Sequence, residues 1–187
     1  MTHIVGIGGT TRAGSSSENA MRFTLAHAES LGASTVIFAA DKLIALPHYA
    51  PEDPARVPEA TELVEQLRKA NGVIVASPGY HGSVSGLVKN ALDYTEDMRD
   101  DDPRPYFSGR AVGLIVTAYG WQATVTTLQS LRSIVHALRG WPTPLGAAIN
   151  STAKVFNDEG DVVDERARFQ LETVAAETVA GARALSA

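Results

Sequence analysis

Residues 8–19, "GGTTRAGSSSEN", set three serines, two threonines and one arginine among three glycines, directly behind the apolar stretch "IVGI" and before a long run without Gly or Pro. Hydroxyls, free backbone N–H groups and a guanidinium at a strand-to-helix turn are the groups that bind phosphate. The helix start supplies unpaired donors and the positive end of its dipole, and arginine adds a charge-assisted contact. Thr10, Ser15 and Ser17 are the candidate donors and Arg12 the candidate charge. Spacing excludes two common phosphate motifs. From Gly6 the chain reads G-I-G-G-T-T, so Thr11 stands where a dinucleotide fingerprint needs its third glycine, and no Gly-Lys-Ser/Thr follows as in a nucleoside-triphosphate loop. What remains is a site suited to a terminal monophosphate. The plainer alternative is that one serine caps the helix and Arg12 is solvated, yet a cap uses one hydroxyl, not five.

A second constellation lies at residues 77–94, "SPGYHGSVSGLVKNALDY". Pro78, Gly79 and Gly82 shape a turn from which Tyr80 and His81 project, and its N–H groups stay out of helix until about Ser85. If the two loops are neighbours, a ligand with its phosphate on the first lays a ring on the second. The serines here are not a nucleophile elbow. Gly82-Ser83-Val84-Ser85-Gly86 has them at the second and fourth places rather than the third, which argues against a hydrolase. His3, His27, His48, His81 and His136 show no metal-ligand spacing, so no metal site is assigned. The run "EDMRDDDPR" reads as a solvated rim. Asp41 stands where a dinucleotide fold keeps its ribose carboxylate, but without the glycine fingerprint it reads as a loop residue.

Stepping out from these loops, five short segments are apolar throughout rather than alternating: "HIVGI", "STVIFAA", "NGVIVAS", "RAVGLIVTA" and "TPLGAAI". Strands covered on both faces have this pattern. Between them, helical spacing joins Leu63, Val64, Leu67 and Ala70, then Leu128, Leu131, Val135 and Leu138, then Leu171, Val174, Ala182 and Leu185. Strands alternating with helices predict one α/β domain over residues 1–187, a five-stranded parallel sheet of flavodoxin-like order 2-1-3-4-5 with helices on both sides and its ligand at the strands' carboxyl ends. Two Pro-rich, charged segments, "DKLIALPHYAPEDPARVP" and "DMRDDDPRPYFSG", read as surface excursions. A net charge of −5 offers no basic stripe for nucleic acid or an anionic membrane. With no cysteine, disulfides, thiolate metal sites and thiol nucleophiles are excluded, and the cytoplasm is the expected location. "MTHIVGIGGTTR" has neither a charged leader nor a membrane-spanning apolar run.

The two loops together resemble those of the NADPH-dependent FMN reductase family, which pairs a G-S/T-x-R-x-x-S-x-N/S phosphate loop with P-x-Y-N-G-S-x-P-G before a K-N-A-L-D helix. Here the first reads Gly9-Thr10-Thr11-Arg12-Ala13-Gly14-Ser15-Ser16-Ser17 and the second Pro78-Gly79-Tyr80-His81-Gly82-Ser83-Val84-Ser85-Gly86, followed by Lys89-Asn90-Ala91-Leu92-Asp93. Gly79 stands for a frequent acidic residue, His81 for Asn and Ser85 for Pro. The resemblance implies that Thr10, Arg12, Ser15 and Ser17 hold the FMN phosphate and that Pro78, Tyr80, His81, Gly82 and Ser83 border the ring. Thr117, Tyr119 and Gly120 of "TAYGWQAT" fall where the family carries a further flavin loop. Trp121 has several possible neighbours: flavin, nicotinamide, a partner subunit, or the underside of the next helix. The resemblance further implies an oxidoreductase that takes hydride from NADPH or NADH and passes electrons through FMN to a small-molecule acceptor such as free flavin, a quinone or an azo compound. The flavin carries that chemistry, so no side chain is assigned a catalytic role. Arg12 being engaged with FMN, Arg99, Arg104 and Arg110 are left as contacts for a 2′-phosphate. A homodimer or homotetramer is implied as well. The alternatives are a flavodoxin-type carrier that turns over no pyridine nucleotide and, more remotely, a nucleotide-binding regulatory domain.

Overall fold

The computed structural model describes residues 1–186. Along the chain, β1 (His3–Gly8) leads through α1 (Ser16–Ser30) to β2 (Ser34–Phe38). The short α2 (Ala40–Ile44) and α3 (Pro58–Lys69) return to β3 (Gly72–Tyr80), which folds back as the two-residue β4 (Ser83–Val84). After α4 (Gly86–Asp93) and a 3-10 turn (Tyr94–Met98) come β5 (Ala111–Ala118), α5 (Trp121–Ala137), β6 (Trp141–Pro142), β7 (Ala147–Asn150) and α6 (Glu165–Leu185).

The sheet is parallel except for the β3–β4 hairpin and runs β2-β1-β3-β5-β6, with β7 also on β5. The expected five-stranded order 2-1-3-4-5 is thus corrected to seven strands. The two-residue β4 intervenes, making the fourth expected strand β5. The fifth is split: Trp141 lies beside Ala111, whereas Ala147 lies beside Ile115. Pro142 ends β6 and Pro144 lies within the break, and proline has no N–H for a ladder. Across it, Thr143 N–H still donates to Val112 O at 3.0 Å, but Leu145 N–H donates to Glu177 Oε2 at 2.9 Å. On β7 itself, Ala148 N–H donates to Gln170 Oε1 at 3.0 Å, so α6 side chains close this edge of the sheet. A second small difference is Asp41, which sits in the first turn of α2 rather than in a loop.

Consecutive strand residues enter opposite cores, and this is why the strands do not alternate with polar residues. Val5, Val73 and Val75 pack with Leu63, Leu67, Leu92 and Leu131 on one face; Ile4, Ile74 and Ile115 pack with Met21, Leu171 and Val174 on the other. Of the helical positions named from spacing, Ala70 and Leu138 prove to be C-caps and Leu185 is exposed.

Both Pro-rich excursions are tied down. Asn90, from the K-N-A-L-D segment, accepts from Tyr49 N–H at 2.9 Å and donates to Pro47 O at 2.8 Å. Arg56 pairs with Asp97 at 2.7 Å and lies over the rings of Tyr49 and Tyr94. The hydrogen bond from Arg56 holds the Asp97 carboxyl below the usual carboxylate range. Arg110 closes the second excursion. It is 1% exposed and donates to Leu67 O (3.1 Å), Arg68 O (3.1 Å), Tyr106 O (2.9 Å) and Ser108 O (3.2 Å). Burial pushes its pKa down to about 10, and the last carbonyls of α3, the negative end of that helix, take the place of a carboxylate. Arg104 binds Ala70 O at 2.9 Å, and Arg99 pairs with Glu96 and Asp100. The three arginines expected to await a 2′-phosphate are therefore already engaged.

Candidate functional site

The first loop leaves β1 and enters α1 with Ser15 as the N-cap, its hydroxyl accepting from Glu18 N–H at 3.4 Å. Thr10 Oγ1 accepts from Arg12 N–H and donates to Arg12 O, both at 3.1 Å, so this hydroxyl shapes the loop. Asn19 Nδ2 pins it by donating to Gly14 O at 3.2 Å. The cap therefore explains Ser15 and no more. Ser17 is buried with its hydroxyl 3.4 Å from that of Ser15, and among the described residues the N–H groups of Ser16 and Ser17 and the guanidinium of Arg12 meet no protein partner.

The second loop is a hairpin. His81 (φ 51°) and Gly82 (φ 83°) both lie in the left-handed region between the paired Tyr80 and Ser83. A two-residue turn with positive φ at both places is the type I′ turn, for which Asn-Gly is the favoured sequence. His81 keeps that geometry where the family often has Asn, histidine being among the residues that tolerate it. Gly79 answers to packing instead. A Cβ there would come within 2.9 Å of Ala118 Cβ and 3.2 Å of Ala123 O, so α5 sits where an acidic side chain would have to pass. Ser85, in place of Pro, caps α4 by accepting from Val88 N–H at 3.2 Å, while its own N–H donates to Ser77 Oγ at 3.0 Å.

Because β1, β3 and β5 are adjacent, both loops and the start of α5 converge on the carboxyl edge of the sheet. There Thr10, Arg12, Ser15, Ser17, Pro78, Tyr80, Thr117 and Tyr119 line one cleft of about 200 Å³, in which Arg12 is the sole charged residue. His81, Gly82 and Gly120 line an adjoining cleft of about 590 Å³ together with Tyr119 and Trp121. Ser83 lines neither. Trp121 opens α5 and is half exposed, 5.6 Å from the guanidinium of Arg166, rather than packed beneath the helix.

Two residues of this site escape sequence reasoning. Ser151 lines the first cleft, and its hydroxyl is buried without a hydrogen-bond partner. Asn150 Oδ1 accepts from Gly120 N–H at 3.0 Å and so orients the loop that carries Tyr119. Asn150 ends the last strand and Ser151 follows it, at the same sheet edge as the other loops, and that placement is the available signal. Unpaired donors, an orphaned hydroxyl, a single cation and no acid suit a phosphate monoester, and the aromatic walls beside them suit a flat ring. The residues present fit FMN on these grounds. Among the described residues no cluster of metal-ligating side chains occurs, and no helix is long and apolar enough to cross a membrane.

Comparison with known proteins gives the same direction. The FMN-dependent NADPH-azoreductase of Staphylococcus aureus (strain USA300) is 34% identical over 110 residues, 59% of this chain and 54% of that protein. The chain thus spans about half the length of the curated relatives it matches. Among solved structures, the flavoenzyme NAD(P)H:(acceptor) oxidoreductase FerB of Paracoccus denitrificans superposes with a TM-score of 0.78 at 19% identity, covering 98% of each chain. A flavodoxin of Streptococcus pneumoniae TIGR4 superposes at 0.62 and 13% identity, covering 96% of this chain and 99% of its own. These likenesses establish a flavodoxin-like fold. The family model for NADPH-dependent FMN reductase matches residues 2–154, across both loops and the strands between them, and the chain belongs to that family.

Proposed function

We propose that this chain is an FMN-dependent oxidoreductase that draws electrons from NADPH and delivers them to a small-molecule acceptor, an azo compound, a quinone or free flavin. One observation carries the proposal: the phosphate loop and the hairpin converge on a single cleft whose only charge is Arg12. Arg12, Ser15, Ser17, Ser151 and the free N–H groups of α1 hold the phosphate, with Thr10 shaping the loop. Pro78, Tyr80, His81, Gly82, Thr117, Tyr119 and Gly120 border the ring, and Ser83 fixes the hairpin through its pairing with Tyr80. When bound, FMN supplies the two-electron chemistry between nicotinamide and acceptor. The open aromatic side, with Tyr119 84% exposed, leaves room for both to stack. A carrier needs no such space, and a cationic phosphate loop is not its habit. The cysteine-free composition fits a cytoplasmic setting, and one sheet with a core on each face supports a single working domain.

After reconstitution with FMN, the protein is expected to be yellow, and adding NADPH under nitrogen should bleach the visible flavin band. Protein that stays colourless and oxidises no NADPH would overturn the proposal. Bound flavin that NADPH leaves oxidised would make it a carrier.

We further propose a homodimer or homotetramer, supported by the exposed Tyr119, Trp121 and Val125 clustered where α5 begins. Light scattering at micromolar concentration should give two or four chain masses. A monomer would return these side chains to solvent or to the substrates.

A further inference from the structure

The flavin cleft does not end at its aromatic wall. It shares Tyr119 and Ala123 with the adjoining cleft, which in turn shares Trp121 with a third, of about 300 Å³, lined by Asn150, Asp164, Arg166 and Gln170. The three lie in succession along the carboxyl edge of the sheet, with Trp121 between the second and the third, and reach the first turn of α6. Arg12 and Arg166 are the two cations that line them, one near each end.

Arg166 has the features of a cation held ready for an anion. It forms no ion pair among the described residues, and its guanidinium lies over the Trp121 ring, 5.6 Å from the ring centre. A guanidinium held over an aromatic face keeps its N–H donors for an anion. The acid of the same cleft, Asp164, is committed elsewhere: it caps α6, its Oδ1 accepting from Ala167 N–H at 2.7 Å. Gln170 is committed as well, through Oε1 to Ala148 N–H. Arg166 is thus the one cation that lines this cleft, and among the described residues no acid pairs with it.

NADPH and NADH differ by one 2′-phosphate, at the end of the molecule far from the nicotinamide. With the nicotinamide over the flavin cleft, the two clefts beyond Tyr119 offer the adenosine half a course past Trp121. On the reductase reading above, we infer that Arg166, lying over Trp121 at the far end of the three clefts, binds the 2′-phosphate of NADPH and sets the preference for NADPH over NADH. Arg99, Arg104 and Arg110, bound to acids or carbonyls, have no part in it.

Calorimetry on the purified protein tests the site without turnover. The probes are 2′,5′-ADP, which carries the distinguishing phosphate, and 5′-AMP, which lacks it. The unchanged protein should bind 2′,5′-ADP at least about tenfold more tightly, as expected for one charge-assisted contact. Arg166→Gln should bring the two affinities together, and Arg166→Lys should restore part of the gap. In steady-state assays Arg166→Gln should lower kcat/KM for NADPH roughly ten- to a hundredfold and change that for NADH by less than about twofold. FMN affinity, measured on the same variants, should not move, which separates this effect from misfolding. Equal binding of the two probes to the unchanged protein, or a gap that survives Arg166→Gln, would overturn the inference while leaving the reductase reading intact. Failure of both coenzymes to reduce bound FMN would overturn the reductase reading instead, and the calorimetric comparison would still decide whether Arg166 selects the phosphate.

Discussion

Arg12→Ala is expected to weaken FMN by about ten- to a hundredfold and to leave riboflavin almost unchanged. The two ligands share the ring, so every contact from Tyr80, His81, Thr117 and Tyr119 cancels in their ratio and the phosphate loop alone is measured. A hydrogen bond to a charged partner contributes about 1.5–3 kcal/mol, or roughly one to two decades of affinity. No protein group competes for this guanidinium, and no acid lines the cleft to weaken its field. The neutral donors of α1 and the Ser17 hydroxyl remain in the variant, so FMN should still win over riboflavin, but by less. Fluorescence-quench titrations of both flavins with both proteins give the answer. Equal losses for the two ligands would mean that the change damaged the fold or that Arg12 touches the ring. Unchanged affinities would reduce the whole loop to a helix cap.

The largest loss of stability is expected from Arg110→Met, which keeps most of the aliphatic stem and removes the fork. Two effects oppose each other. Burial of a cation is costly, as its lowered pKa of about 10 records, and methionine relieves that cost. Against this, the carbonyls of Arg68 and Tyr106 lose their donor in a place water does not readily reach, whereas Leu67 O keeps Ala70 N–H at 3.2 Å and Ser108 O keeps Arg104 Nε–H at 3.4 Å. Each buried acceptor left unpaired costs about 1–3 kcal/mol, so the second effect wins by about 2–4 kcal/mol. For a chain of this length that lowers Tm by roughly 5–15 °C. Arg99→Met, at an exposed position with only surface ion pairs, should shift it by less than about 2 °C. Thermal unfolding followed by circular dichroism compares them, and a drop no larger for Arg110→Met than for Arg99→Met would show that the buried fork is dispensable.

The main strands were legible because burial on both faces leaves a plain mark: "IVGI" and "VIVA" have no polar side to hide. The loops were legible for a related reason. So many hydroxyls behind a buried strand have no use in a core, and Pro78, Gly79 and Gly82 mark a turn, though not the hairpin that it proves to be. What could not be read depended on where distant segments meet. The two-residue β4 is shorter than any periodicity, and the split of the fifth strand turns on which part of β5 each half meets. Arg110 looks like any charged loop residue until α3 ends against it. Ser151 and Arg166 are unremarkable in their own neighbourhoods, and they join the site because β7 and α6 return beside it. Gly79 is the converse case, a departure from the family pattern whose cause, the close approach of α5, is visible only in three dimensions.

The closed edge at β7 bears on how copies of this chain meet. A strand arriving from solvent would have to displace Gln170 from Ala148 before it gained a ladder bond, and Glu177 guards Leu145 in the same way. At the opposite margin, β2 has no strand on its outer side, and its half-buried "STVI" is rich in β-branched residues. Sheet growth therefore has one open direction instead of two. Joining two β2 margins would use up both open edges and end in a pair, because each sheet is sealed on its far side; end-to-end stacking into fibres is blocked by α6, the helix whose first turn also carries Arg166.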